Sequence, residues 1–426
     1  MTRVERGGSV LISRFIMVHT LATFKPVLKQ LVLSISPPSP PSGSLRPAGP
    51  KLTDEELETL LAHLADVEFT KDAQNSAAIG AALTALRVTG LDMAPRTLTF
   101  MRETLLKLAA PMLLPPARPS AASSYGGFVD MVGTGGDGKD TFNVSTTASF
   151  VAAGVDGMRV CKHGGRASSS TSGSAELLIA LGVPLMDVAP ADMAPLLESL
   201  ACTFLFAPKF HSAMAPLAPI RASLGFPTLF NILGPLINPA RPARGVYGVH
   251  SSGLGETYAN ALRLAGMEHV WVVCGQEGLD EISPSGPTDV WEVRDNRVEY
   301  KVVSPADFGL PTHPLEDVRC GTAAQNASVV VRFFTDATPP VDEKLQEPLI
   351  VEPDSPATRL EPIPEGVNLG AIYDYTLIQA ASVLYVAGFG NGDLKQCTEL
   401  ARESIRSGHA EQSLKALREA MLNARS

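Results

Sequence analysis

The chain has 426 residues, 45% of them hydrophobic and 19% charged, enough to bury a sizeable core in one large domain plus a smaller one. Its net charge of −9 argues against a broad binder of nucleic-acid backbones, whose affinity comes from Lys and Arg neutralising phosphates. No apolar stretch approaches the roughly 20 residues a membrane-spanning helix needs, and five scattered cysteines without CxxC or Cys/His spacing fit a reducing compartment.

The first fifty residues hold six Lys or Arg against one acid, Glu5, and end in a Pro- and Ser-rich run. Residues 1–50 are expected to be a disordered basic extension, with an organelle transit peptide or a true start at Met17 as the other readings. A cytoplasmic location is expected, and import through residues 1–50 is its alternative.

Structure begins at LTDEEL, where Thr53 is a candidate N-cap and Glu56, three residues on, completes a capping box. Leu57, Leu60, Leu61 and Leu64 then recur at helical spacing. A second helix from about Lys71 carries Ile79, Leu83 and Leu86, and a third runs from Pro95 to Leu108. Residues 51–113 are therefore predicted as a small all-helical domain, on which helices from about 187–222 also pack. Residues 111–127 read as a linker. Beyond them the apolar runs FVDMVG, GVYGV and HVWVVCG alternate with helical stretches, so residues 114–426 are predicted as a large α/β domain with a mostly parallel sheet flanked by helices. Function should lie where its strands end. The Pro- and Glu-rich residues 336–366 read as an inserted loop, and AIYDYTLIQAASVLYVAG as a buried helix.

Two segments carry the chemistry. In DMVGTGGDGKDTFNVSTTASFVAAG an apolar run meets Gly133, Gly135 and Gly136. These residues admit positive φ and close approach of backbone N–H groups to an anion, while Asn143, Ser145 and Thr146 place donors at a helix start. In VCKHGGRASSSTSGSAELLIALGV the same logic returns with Lys162 and Arg166 around His163 and a Ser cluster that includes Ser169. Either segment alone reads as a Gly-rich turn before a helix; two within fifty residues point to a phosphorylated ligand. Neither is GxxxxGK[ST] nor GxGxxG, so a nucleoside-triphosphate P-loop and a dinucleotide fingerprint are unsupported.

VGTGGDG, NVSTTASFVAAG and KHGGRASSSTSGSAELLIALGV, followed by LFAPKFHSAMAPLAPIRASLGFPTLFNILGPLINPARP and EGLDEISPSGPTDVWEV, resemble in order the signatures of the anthranilate phosphoribosyltransferases. The resemblance covers about 50–426. It implies a homodimer, each subunit with a small helical and a large α/β domain, and transfer of the ribosyl group of phosphoribosyl pyrophosphate (PRPP) to the amine of anthranilate in tryptophan biosynthesis. Carried over by motif, Gly133, Thr134, Gly135, Gly136, Asp137, Asn143, Ser145, Thr146, Lys162 and Ser169 are expected at PRPP. Asp280 and Glu281, helped by Ser145, are expected to hold Mg2+. Gly133, His163, Gly165 and Arg221 are expected at anthranilate, with His163 and Arg221 as the catalytic pair. Departures are Gly165, where the family usually has Asn, and Ser212, where Pro is common. A pyrimidine nucleoside phosphorylase and a non-catalytic nucleic-acid-binding relative are the rival readings; the chain lacks the former's Lys-Ser-Gly-Arg signature, and its acidity and Asp280-Glu281 pair oppose the latter.

Overall fold

The protein is described here from a computed structural model covering residues 18–35, 52–167, 170–319, 321–335 and 359–424. Ser169, most of the 336–366 insertion and most of residues 1–50 lie outside that set. Five helices form one lobe: α1 (Leu21–Leu33), α2 (Asp54–Ala65), α3 (Val67–Lys71), α4 (Ser76–Thr89) and α5 (Pro95–Leu108). The capping box of Thr53 and Glu56 forms at the start of α2, and Pro95 opens α5, where no backbone N–H is needed.

The helix α1 corrects the expectation that residues 1–50 are disordered throughout. Thr20 caps it, and Phe24, Val27 and Leu31 are buried on one side, against α2 and α4. Lys25 and Lys29 stay exposed on the other, so counting basic residues hid an apolar stripe of helical period. His63 fastens α1 to α2: its Nδ1 lies 2.7 Å from the Thr59 carbonyl oxygen and its Nε2 2.9 Å from Thr23 Oγ1.

After the linker, β1 (Val129–Gly133) leads into α6 (Val144–Ala153), and β2 (Val160–Gly164) into α7 (Ser174–Ala180) and α8 (Met193–Ser199). Next come β3 (Cys202–Phe206), the short helices α9 (Ala207–Phe210), α10 (Leu217–Leu224) and α11 (Leu229–Leu233), then β4 (Arg244–Gly248), α12 (Ser252–Leu264) and β5 (His269–Gly275). A hairpin, β6 (Thr288–Arg294) and β7 (Arg297–Val303), closes one edge of the sheet, and α13 (Ala323–Thr335), α14 (Leu369–Ala387), α15 (Leu394–Arg406) and α16 (His409–Asn423) complete the described chain. No single described helix is long and apolar enough to cross a membrane.

The seven strands lie in the order β3-β2-β1-β4-β5-β6-β7. β1 to β5 run parallel, and β6 and β7 are antiparallel additions. Strand order reverses between β1 and β4, which opens a crevice at the carboxyl ends of these strands, the usual ligand position in such sheets. Helix α14 is buried along nearly its whole length, as its apolar sequence predicts, and packs on α6. The expectation that helices of 187–222 pack on the helical lobe divides in two. Leu217 and Ile220 of α10 join the lobe's core, whereas Met193, Leu196 and Leu197 of α8 belong to the core of the large domain. The lobe's core also continues through Tyr258 of α12 to Val270 and Val272 of β5, so apolar packing crosses the linker. Because Phe24 is fully buried, Phe24→Ala is expected to cost about 3 kcal/mol, read as a lowered urea midpoint; an unchanged midpoint would mean that α1 is an ornament on the lobe.

Candidate active site

Where β1 ends, Thr134 N–H donates to Gly248 of β4 at 2.9 Å, and Gly135 and Gly136 then turn with φ of 68° and 84°, a left-handed conformation that glycine adopts cheaply. This turn encloses the acidic segment that follows β5. A Cβ on Gly133 would lie 2.2 Å from Asp280 Oδ2, and one on Gly248 would lie 1.6 Å from the Asp280 carbonyl oxygen. Any side chain at either position would evict the acid. Gly135 N–H donates to Asp280 Oδ2 at 2.6 Å, so turn and carboxylate form one unit.

Glu281 lies half-buried beside Asp280, and Asp137 approaches from the loop. Burial first, and then the Asp137 charge, pushes the Asp280 carboxyl up to about 7; burial and both neighbouring acids hold Glu281 well above the usual carboxylate range. Lys162, buried in the middle of β2, supplies the opposing charge. It donates to Ser145 Oγ at 3.1 Å and to the Met131 carbonyl. Its ammonium pKa is depressed by burial and held up by Asp130, Glu281 and Asp280. Asp130, within β1, is pushed up to about 6 by burial against the pull of Lys162, and accepts from Asn238 Nδ2 at 2.8 Å and from the His163 N–H at 3.3 Å.

A cleft of 340 Å³ opens over this arrangement, lined by Gly133 to Asp137, Asn143, Ser145, Lys162 to Arg166, Ser172, Asn231, Asp280 and Glu281, among others. Of the residues expected at PRPP, Mg2+ and anthranilate, the structure thus brings together all but three. Ser169 lies outside the described residues. The Thr146 hydroxyl is buried without a partner, off the cleft surface. Arg221 also stands back from the lining, with its Nη2 donating to Asn231 Oδ1 at 3.2 Å, and Asn231 is the residue that reaches the cleft. The side chain of Asn143 is spent on structure: its Nδ2 donates to Ser172 O at 2.7 Å, while its Oδ1 accepts from Ser172 Oγ at 2.9 Å and from Asn326 Nδ2 at 2.8 Å. Asp140 likewise accepts from Thr171 N–H at 2.7 Å, and together these bonds bolt the two glycine-rich loops to each other.

On the remaining side the wall is apolar and neutral. His163 is 2% exposed, its ring stands edge-on to that of His211 with centroids 5.1 Å apart, and its Nε2 has no hydrogen-bond partner. Burial lowers His163 to about 3 and His211 to about 4. Both are uncharged at neutral pH.

Sequence reasoning missed Asp130, Asn238, Asn326 and, on α14, Tyr375 and Gln379, which contact the acidic segment. Only Asp130 left a signal, an acid inside the apolar run FVDMVG, since a buried charge demands a partner. A larger groove of 920 Å³ lies at the opposite ends of β4 and β5, lined by Arg244, Arg263 and Arg294 among others. It shares no residue with the glycine loops or the acidic pair; the chemistry points to the smaller cleft.

A phosphate cradle at the switch point of a parallel sheet, with acids at its mouth, suits an enzyme that handles phosphorylated sugars, and residues 125–411 match the family described as "Glycosyl transferase family, a/b domain". The anthranilate phosphoribosyltransferase of Schizosaccharomyces pombe is 41% identical over 283 residues, 66% of this chain and 72% of that protein. That of Parvibaculum lavamentivorans is 36% identical over 85% of this chain and 96% of its own length. Among solved structures, the Saccharomyces cerevisiae enzyme in complex with PRPP and Mg superposes with a TM-score of 0.76 at 30% identity, covering 95% of this chain and 99% of that one. The chain belongs to the anthranilate phosphoribosyltransferase family.

Because folded His163 is lowered from 6.5 to about 3, the unfolded chain binds the extra proton in that window. Its contribution is complete above the unfolded value and is lost as pH falls, by up to ~1.4 kcal/mol per pH unit. In thermal melts between pH 7 and 5, His163→Gln is expected to flatten the acid-side loss of stability, leaving the part due to His211; an unchanged slope would contradict the neutral, buried ring.

Proposed function

We propose that the chain transfers the 5-phosphoribosyl group from PRPP to the amine of anthranilate, releasing pyrophosphate. The observation that carries this reading is the joint construction of the phosphate turn and the acidic pair, with Gly135 N–H on Asp280 and Gly133 packed against it. Family membership supports the reaction over nucleoside phosphorolysis and over a non-catalytic role.

The acidic cluster fits a divalent cation, because acids raised by burial and mutual repulsion are relieved by positive charge. Among the described residues, no three His, Cys, Asp or Glu side chains form a complete cage. That suits Mg2+, which keeps waters and is held by one or two carboxylates together with substrate phosphates. Asp280 and Glu281 would hold it, with Ser145 alongside, and when bound it would neutralise charge developing on the pyrophosphate.

The chain's own residues do the rest. The N–H groups of Gly136 and Asp137, with those at the start of α6, hold the phosphates, and Lys162 backs them from below, while Ser145 offers its hydroxyl. Displacement at the ribose carbon builds positive charge in the sugar, so rate comes from aligning the nucleophile and holding the leaving group. Aromatic amines are neutral at neutral pH and need no prior deprotonation. His163, lowered to about 3, is too weak a base to provide it and acts by shape and by its ring nitrogens. Arg221 acts on the carboxylate side through Asn231.

We extend the proposal to a homodimer. Exposed Val32, Leu33 and Val88 on the packed helices α1 and α4 supply apolar surface for it, and sedimentation would decide it. Location in the cytoplasm belongs to the same proposal. An imported form would have to keep α1, whose Phe24 and Leu31 are fully buried in the lobe.

Loss of anthranilate fluorescence in the presence of PRPP and Mg2+ is the direct assay. Asp280→Ala/Glu281→Ala or chelation of the metal is expected to lower turnover by at least ~10³-fold; a double variant that keeps full activity would refute the site. A Cβ at Gly165 meets nothing within 4 Å, so Gly165→Asn is expected to fold and to lower the anthranilate KM by a few-fold, about one hydrogen bond. A raised KM would mean the amide obstructs the acceptor.

A further inference from the structure

The loop that presents the acidic pair is held from two sides. On the strand side, Gly275 N–H donates to Leu279 O at 2.8 Å, closing a tight turn after β5, and Leu279 is fully buried. On the other side lies α14, a helix apolar nearly all round except at a few buried polar positions. Two of these, Tyr375 and Gln379, are four residues apart and so project from the same helix face. Both are fully buried. Tyr375 Oη donates to Glu281 Oε2. Gln379 grips the backbone of the next residue at both ends: its Nε2 donates to Ile282 O at 2.6 Å, and its Oε1 accepts the Ile282 N–H at 3.4 Å.

A buried hydroxyl and a buried amide are costly unless fully paired, and here the partners that pair them are the candidate metal ligand and its neighbour. The same helix packs on α6, whose first turn carries Ser145 of the phosphate loop. One rigid element thereby touches both halves of the cleft. We propose that Tyr375 and Gln379 are positioning residues that aim Glu281 at the Mg2+ and PRPP site, with α14 as the strut setting the acidic loop against the phosphate loop. Without the Tyr375 hydroxyl, Glu281 keeps no hydrogen-bond donor described here and turns more freely. Without the Gln379 amide, Ile282 loses both of its described partners and the loop rides off the helix.

The inference rests on the reading of Asp280 and Glu281 as the acids that hold the ion, and the test separates the two. Calorimetric titration of the full chain with PRPP in the presence of Mg2+, without anthranilate, reads binding directly. Tyr375→Phe keeps the ring and is expected to weaken that binding about tenfold, the effect of a hydrogen bond to a charged group. The anthranilate KM at saturating PRPP and Mg2+, and the melting temperature, are expected to hold. Added to Glu281→Ala, Tyr375→Phe should cost nothing further, because its target is gone. Gln379→Met, which fills the same space, is expected to act in the same direction.

Unchanged binding in Tyr375→Phe while Glu281→Ala weakens it would overturn the inference and leave the acidic site standing. Unchanged binding in Glu281→Ala itself would overturn both. A Tyr375→Phe that loses PRPP binding, anthranilate binding and melting temperature together would reduce the tyrosine to a packing residue and overturn the inference as well.

Discussion

The site hangs on the close approach of Asp280 to two glycines. With Gly133 packed against its carboxylate and Gly248 against its carbonyl, the loop after β5 settles onto the ends of β1 and β4 at a distance no side chain would permit. The strand order makes this contact available, since β1 and β4 are neighbours and β5 lies one strand further on. A short bond from Gly135 N–H then fixes the carboxylate's direction. Removing either glycine would not merely crowd the loop; it would uncouple the phosphate turn from the acids.

Once those half-buried acids are crowded together, their charge must be managed. Lys162 is the one described cation beneath them, and it sits between two acidic groups, Asp130 on one side and Glu281 with Asp280 on the other. That position keeps the side chain almost fully buried while it forms part of the cleft floor. It keeps the loop floor from carrying several uncompensated negative charges while leaving room for a cation above. The side chain of Asn143 is similarly committed, to Ser172 and Asn326, which leaves backbone N–H groups and the Ser145 hydroxyl as the donors at this corner.

These assignments show how far the amino-acid pattern could be read. Helices with a stripe or a cap were legible: Thr53 and Glu56 form their box, and Pro95 opens α5. The order of short apolar runs gave the parallel sheet, and the glycine and serine turns gave the cleft, because these features depend on local backbone chemistry. What escaped depends on partners far along the chain. Tyr375 and Gln379 look like interruptions in an apolar helix until Glu281 and Ile282, over ninety residues earlier, are seen against them. α1 was hidden for a different reason, its three buried apolar residues being diluted by exposed lysines and a proline-rich continuation. Arg221 was placed by motif at a carboxylate, yet it reaches the cleft only through Asn231, a relay that spacing does not reveal.

The cleft has an electrostatic polarity that bears on the chemistry. One side concentrates acids, Lys162 and backbone N–H groups, a set suited to a cation together with an anion. Its other side is bounded by His163 with His211 behind it, both stripped of charge by burial, their rings in a T-shaped contact. A neutral aromatic amine is compatible with such a wall, whereas a charged nucleophile would pay desolvation there without compensation. Charge concentrated on one side of the cleft and withheld on the other suits stabilisation of an anionic leaving group better than base catalysis. The Nε2 of His163 is buried without a hydrogen-bond partner, an unmet polar atom that a neutral ring packed against His211 tolerates where a charged one would not.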